Sequence, residues 1–143
     1  YKRQQGSFDA EADAVEHAFD YLNRREEALI AAGVDPGRIA WDPGFGFGKT
    51  LEQNFEVLAA TRRFLSSGRP LMAALSRKGS LGRITGRKNP HERAAASVAG
   101  ALMAAERGAH ILRVHDVRET ADALAVLKAF RHADIRIDAR GRY

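Results

Sequence analysis

Asp42, Ser76, Lys78, Arg113 and His115 stand at or just beyond the ends of three short apolar runs, 39–42, 71–76 and 111–114. Each run reads as a buried strand. Side chains alternate faces along a strand. Ala40 and Asp42 therefore share one face of the first, with Ile39 and Trp41 on the other. Met72, Ala74 and Ser76 share a face of the second, with Lys78 just beyond. Ile111, Arg113 and His115 share a face of the third, opposed by Leu112 and Val114. A carboxylate, a hydroxyl with an ammonium, and a guanidinium with an imidazole thus gather at the carboxy ends of three strands. In parallel α/β folds that end is where ligands bind. One charged residue after a strand is commonplace, whereas three strands in register point to a functional site.

The stretch 42–50, DPGFGFGKT, resembles a P-loop, but its spacing fails. A P-loop needs glycine five residues before the Gly of Gly-Lys-Thr, and Pro43 stands there. The dinucleotide fingerprint fails as well, because its last glycine would fall on Lys49. The glycines are either a tight strand-to-helix turn or a close backbone approach to something flat. Lys49 reads as facing solvent at a helix start, Trp41 as packing outward against helices, and His91 and His110 as surface or helix-end groups.

The elements that position these residues repeat a pattern. A helix over 7–33 has Ser7 or Asp9 as its cap, with Asp9, Glu11 and Asp13 at the positive end of its dipole. Its apolar face is Val15, Ala18, Phe19, Leu22, Leu29 and Ile30. Gly33 stops it, and Asp35-Pro36-Gly37 is a turn. Strand–helix units follow over 39–65, 71–107 and 111–132. A helix over 51–65 fills the first. Asn89-Pro90 opens an alanine-rich helix in the second, and Asp116 with Glu119 forms a capping-box variant in the third. The tail 138–143 reads as polar and frayed. Short strands alternating with longer helices mean an α/β protein with a parallel sheet. Periodicity alone leaves an open doubly wound sheet and part of a barrel both in play.

Composition narrows the setting. With 143 residues, 45% hydrophobic and 29% charged, the chain suits one compact domain with a real core. No apolar run approaches the ~18 residues of a membrane span, and no secretory signal is read. Absence of cysteine excludes disulfides and thiolate metal sites and agrees with a cytosolic setting. The first residue is Tyr1, so the sequence need not begin where the gene begins. The net charge is +5, with basic clusters at 77–88 and 131–142. Aromatics do not interleave with them, so a nucleic-acid partner is not expected. The first cluster holds glycines at 79, 82 and 86, which suits a mobile loop near an anionic small molecule.

The segments DPGFGFGKT (42–50), LSRKGSLGRITG (75–86) and ILRVHDVRET (111–120) resemble, in order and spacing, three signature blocks of the C-terminal half of dihydropteroate synthase. The resemblance covers roughly 22–130. It implies a (β/α)8 barrel, a fold of ~250 residues, of which this chain would supply strands six to eight, its opening helix being the fifth. The N-terminal half, with further pterin ligands and an asparagine associated with Mg²⁺, would be missing.

The resemblance also implies roles. Asp42 grips the 2-amino and N3 edge of the pterin, where one carboxylate accepts two parallel N–H donors. Lys78 reaches the pterin carbonyl edge, and Arg113 stacks its plane on the ring, which lysine could not do. His115 holds the pyrophosphate, with the Arg113–Val114–His115 backbone nearby. Ser76 and Arg77 lie where p-aminobenzoate is handled, and Gly46 and Phe47 line that pocket. The reaction implied is attack of the p-aminobenzoate amine on the pterin methylene, with pyrophosphate leaving. The family's pairing through C-terminal helices implies a homodimer; in this chain the helix 89–107 offers small residues on more than one side. Ala74 departs from the glycine of many members, and Trp41 from an aliphatic residue. Two rival readings are the pterin-binding domain of a corrinoid-dependent methyltransferase, which should lack the Ser-Arg-Lys block, and a non-catalytic pterin-binding or dimerisation fragment.

Overall fold

The computed structural model describes residues 13–138. Ser7, Asp9, Glu11 and residues 139–143 of the expected tail lie outside the described residues. The helices are α1 (Ala14–Ala31), α2 (Leu51–Ala59), α3 (Thr61–Phe64), α4 (Gly79–Thr85), α5 (Ala94–Glu106) and α6 (Val117–Asp138). Two strands, β1 (Met72–Ala73) and β2 (Ile111–Leu112), pair in parallel, Met72 opposite Ile111 and Ala73 opposite Leu112. The expected strand at 39–42 is reduced to a single parallel bridge, Trp41 with Leu71. Its amide donates to the Pro70 carbonyl (2.9 Å) and its carbonyl accepts from Met72 (2.7 Å), after which the chain turns away into the glycine stretch. Two parallel strands and one bridge therefore stand where three strands were expected.

Side-chain alternation sorts the two faces. Ile39 and Trp41 are buried, while Ala40 is exposed and Asp42 half-buried. Ile39, Trp41 and Leu71 pack with Ala14, Ala18, Val57 and Phe64 under α1 and α2. Trp41 meets Phe19 edge-on at 5.3 Å, and its indole N–H donates to Glu26, which also holds Arg69 at 2.7 Å. A second cluster, Phe45, Leu58, Leu75, Leu81 and Ala104, lies beneath α2, α4 and α5. On the other side of the sheet Ile111, Arg113 and His115 are exposed. One face is thus filled by helices and the other carries the polar residues.

Several elements differ from the sequence reading. Asp13 caps α1, its carboxylate accepting from the amides of Val15 and Glu16. Leu29 and Ile30 end on its exposed side, at 38% and 39% exposure, so its buried stripe is shorter than the apolar pattern. The helix expected over 51–65 breaks at Ala60. The Thr61 hydroxyl there donates back to the Leu58 carbonyl (2.6 Å), competing with the helical ladder. Glycines 79 and 82 sit inside α4 rather than in a loop, and Gly86 closes it in the left-handed conformation (φ 71°). Asn89 caps a 3-10 turn, Pro90–Arg93, that leads into α5. The last helix extends beyond 132 to Asp138.

Phe64 is fully buried between the α1 and strand layers. Phe64→Ala is expected to cost about 3–5 kcal/mol through lost transfer energy and a residual cavity, read as a lower denaturant midpoint in the full-length protein.

Candidate active site

Asp42, at the end of the first run, accepts from the Gly44 amide at 2.9 Å, which starts the glycine turn. Gly44, Gly46 and Gly48 all have positive φ (73°, 84° and 65°), so the stretch needs its glycines for backbone reasons. Thr50 then caps α2 in a full capping box with Gln53. Lys49 does not face solvent: its ammonium donates to the carbonyls of Pro43 (3.1 Å) and Gly44 (3.0 Å), tying the turn from inside. Burial lowers its pKa, the nearby Lys78 adds to that, and Asp42 opposes it.

Asn54 is a residue that the sequence reading passed over. It is 1% exposed, and its side chain accepts from the Gly46 amide while donating to the carbonyls of Lys49 (3.2 Å) and Thr50 (2.6 Å). A lone asparagine in a helix carries no signal by itself. It stands four residues after a cap and reaches back into the run of glycines.

Lys78 crosses from the second strand end to that turn. Its stem runs over Gly46, where a Cβ in place of the glycine hydrogen would lie 2.7 Å from the lysine Cδ. Its ammonium donates to the Phe45 carbonyl and lies 4.2 Å from the centroid of the Phe47 ring, which is 39% exposed. Desolvation lowers the Lys78 pKa. Asp42 works against that shift and Arg113 with it, so Lys78 senses both charges. Arg113 leaves β2 exposed, its amide bound to the Ala73 carbonyl at 3.0 Å. Val114 is half-buried between Arg113 and His115.

The hydroxyl of Ser76 accepts from the His115 amide (3.1 Å) and lies 2.9 Å from its Nδ1. With Nδ1 turned toward this hydroxyl, Nε2 of His115 is the outward ring nitrogen. Arg77 is the non-glycine residue with positive φ (58°) among the described residues. Its amide donates to the buried Ser97 hydroxyl (2.9 Å) and its carbonyl accepts from Arg93 (2.8 Å). Its guanidinium forks onto Asp116 (3.2 and 2.6 Å) and meets Nδ1 of His91 (2.9 Å). The Asp116 carboxylate, expected to cap the last helix, is thus held by Arg77, a bidentate charged pair outweighing one cap bond. Ser97 and Arg93 also escaped the sequence reading. His110 is more than a surface group, since its Nδ1 accepts from the Leu71 amide at 3.2 Å.

Residues 2–115 match the family described as "Pterin binding enzyme". The match reaches further toward the N-terminus than the expected 22–130 and stops at His115. The chain belongs to the pterin-binding enzyme family. Within it, the chain is 46% identical over 120 residues to the dihydropteroate synthase of Neisseria meningitidis serogroup B, covering 82% of this chain and 42% of that protein. It is 41% identical over 123 residues to that of Escherichia coli, covering 83% and 43%. A structure of Xanthomonas albilineans dihydropteroate synthase with 4-aminobenzoic acid superposes with a TM-score of 0.84 at 45% identity, covering 90% of this chain and 46% of that one. The same enzyme in complex with 7,8-dihydropteroate gives 0.82 at 46% identity, covering 87% and 48%. The chain therefore spans less than half the length of these relatives, and it corresponds to their C-terminal portion. It shares their α/β fold.

Arg77 holds the Asp116 pKa below its ordinary value, with His115 and His91 adding to the effect. A lowered carboxylate pKa contributes stability that is present above the unfolded value and lost as pH falls through the folded one. The stability difference between the wild type and Asp116→Asn should therefore be steady near neutral pH and shrink progressively below the usual carboxylate range. Unfolding midpoints across a pH series read this directly; a difference that stays constant into acid would remove the pair from the stability account.

Proposed function

We propose that this chain is part of a dihydropteroate synthase, which condenses 6-hydroxymethyl-7,8-dihydropterin pyrophosphate with p-aminobenzoate to give 7,8-dihydropteroate and pyrophosphate. The carrying observation is that Lys78, in a family member, lies within electrostatic reach of both Asp42 and Arg113 at the strand ends. The bound 4-aminobenzoic acid and 7,8-dihydropteroate of the Xanthomonas albilineans structures support the choice of substrates. The Ser-Arg-Lys block at 76–78 favours the synthase over a corrinoid-dependent methyltransferase. A sulfonamide complex of the Yersinia pestis enzyme, 35% identical, supports reading the site as a sulfonamide target.

In this reading the chain is the last three β/α units of an eight-stranded barrel, and the exposed face bearing Ile111 and Arg113 looks into the barrel. Asp42 takes two N–H donors of the pterin, Lys78 its carbonyl edge, and Arg113 stacks on its ring. His115 offers Nε2 to the pyrophosphate, assisted by the backbone from Arg113 through Val114. Charge developing on the departing pyrophosphate is the main electrostatic task, and fixed donors meet it without reorganising. Gly46 and Phe47 line the p-aminobenzoate side with Ser76 and Arg77, the last two acting as supports for His115 and the Lys78 turn. Mg²⁺ belongs to the reaction by family resemblance. Among the described residues no three His, Cys, Asp or Glu side chains gather to hold an ion. The setting is cytoplasmic in this reading; no helix among the described residues is long and apolar enough to cross a membrane.

The functional unit is a homodimer joined through the C-terminal helices. Ala95, Ala99 and Met103 on α5, and Val126, Phe130 and Ile135 on α6, are exposed or half-buried and available for it. Sedimentation of the full-length protein should show a dimer persisting at low micromolar concentration, and a monomer throughout would remove this assembly.

Dihydropteroate formation by the full-length enzyme is the decisive assay, with Mg²⁺ present. Residues 1–143 alone should give no product. Asp42→Asn in the full-length enzyme should weaken pterin pyrophosphate binding by about 100-fold, the scale of a lost charge-assisted pair. Turnover by residues 1–143 alone would show that the essential groups have been misplaced, and unchanged affinity in Asp42→Asn would remove Asp42 from the pterin site.

A further inference from the structure

The Phe45–Gly46 peptide carries hydrogen bonds on both of its sides. Its N–H donates to Oδ1 of Asn54 at 2.5 Å, and its C=O accepts from the Lys78 ammonium. A peptide unit is planar, and in the trans form its N–H and C=O point in opposite directions. Whatever fixes the N–H therefore fixes the direction of the carbonyl. Asn54 is itself fixed, being 1% exposed and donating to the Lys49 and Thr50 carbonyls. Phe45 anchors one end of the plane in the core, whereas Gly46 sits at φ 84° with the lysine stem across it and has no side chain to hold the other end.

We infer that Asn54 is a positioning residue for Lys78, acting through the Phe45–Gly46 peptide plane: it sets where the ammonium rests and hence how it meets the ring of an incoming heteroaromatic substrate. This rests on the reading of Lys78 as a pterin-binding group. Lys78 is poorly solvated here and lies 4.2 Å from the Phe47 ring centroid. Without Asn54 the N–H side of the peptide loses its anchor, its carbonyl can tilt away from the ammonium, and the lysine is less firmly held. Asn54 touches no substrate in this account. Its contribution reaches the substrate only by way of Lys78.

A double-mutant cycle on the full-length enzyme tests this, with pterin pyrophosphate affinity measured by calorimetry. Asn54→Ala should weaken binding about tenfold, the scale of one hydrogen bond to a charged group. In a Lys78→Ala background the same substitution should change affinity less than about twofold, because coupled residues are not additive. Asn54→Asp keeps an acceptor for the Gly46 N–H while losing the amide donors. It should bind closer to wild type than Asn54→Ala, and it serves if the alanine variant does not fold. A general packing role would leave the Asn54 effect equally large with and without Lys78, and that result overturns the inference, as does wild-type affinity in Asn54→Ala. Wild-type affinity in Lys78→Ala alone instead overturns the pterin role of Lys78 on which the inference depends.

Discussion

Leu71–Ala73 is bonded on both sides, and the remaining structure hangs on that pairing. On one side the Pro70 carbonyl and the Met72 amide hold Trp41. On the other the Leu71 carbonyl accepts from His110 and Ile111, and the Ala73 carbonyl accepts from Arg113. Parallel pairing forces all three segments to end at the same edge. Asp42, Ser76–Lys78 and Arg113–His115 are neighbours because the ladder admits no other arrangement, even though it is only a few residues long. The helices supply what so short a sheet cannot, by burying Trp41, Leu71, Phe64 and Leu75 on the opposite face.

The site combines groups that would repel one another if left alone. Lys78 and Lys49 lie close together, Arg113 is nearby, and Asp42 is the carboxylate that opposes them. Backbone carbonyls carry the rest. Lys49 is met by Pro43 and Gly44, and Lys78 by Phe45. The glycine stretch is thus a ring of acceptors as well as a turn. This explains why three positive-φ residues occur within five positions: together they turn the carbonyls of the stretch toward the two cations.

The alternation of faces was legible in the sequence because the period of two is set by covalent geometry; Trp41 buried and Asp42 at the polar edge needed no tertiary information. The three motifs identified the family for the same reason, being continuous in sequence. What stayed hidden depended on contacts between distant segments. Lys49 looked solvent-facing because its partners are carbonyls, which no residue type advertises. Residues 79–86 looked like a loop because of their glycines. Yet Gly82 is buried where a Cβ would meet the Arg87 carbonyl at 2.7 Å, so close packing rather than mobility requires it. Asp116 matched a capping pattern with Glu119, but Arg77, 39 residues earlier, claimed its carboxylate. The strand at 39–42 was overextended because an apolar run does not reveal where its neighbour stops.

Gly46 carries a consequence for how this turn can change over generations. A side chain there would meet both an unfavourable backbone conformation and the Lys78 stem. Substitution of Gly46 is therefore closed unless the lysine moves first. Phe47, beside it and 39% exposed, is under no such restriction, so variation is easier at the ring than at the glycine beneath the lysine.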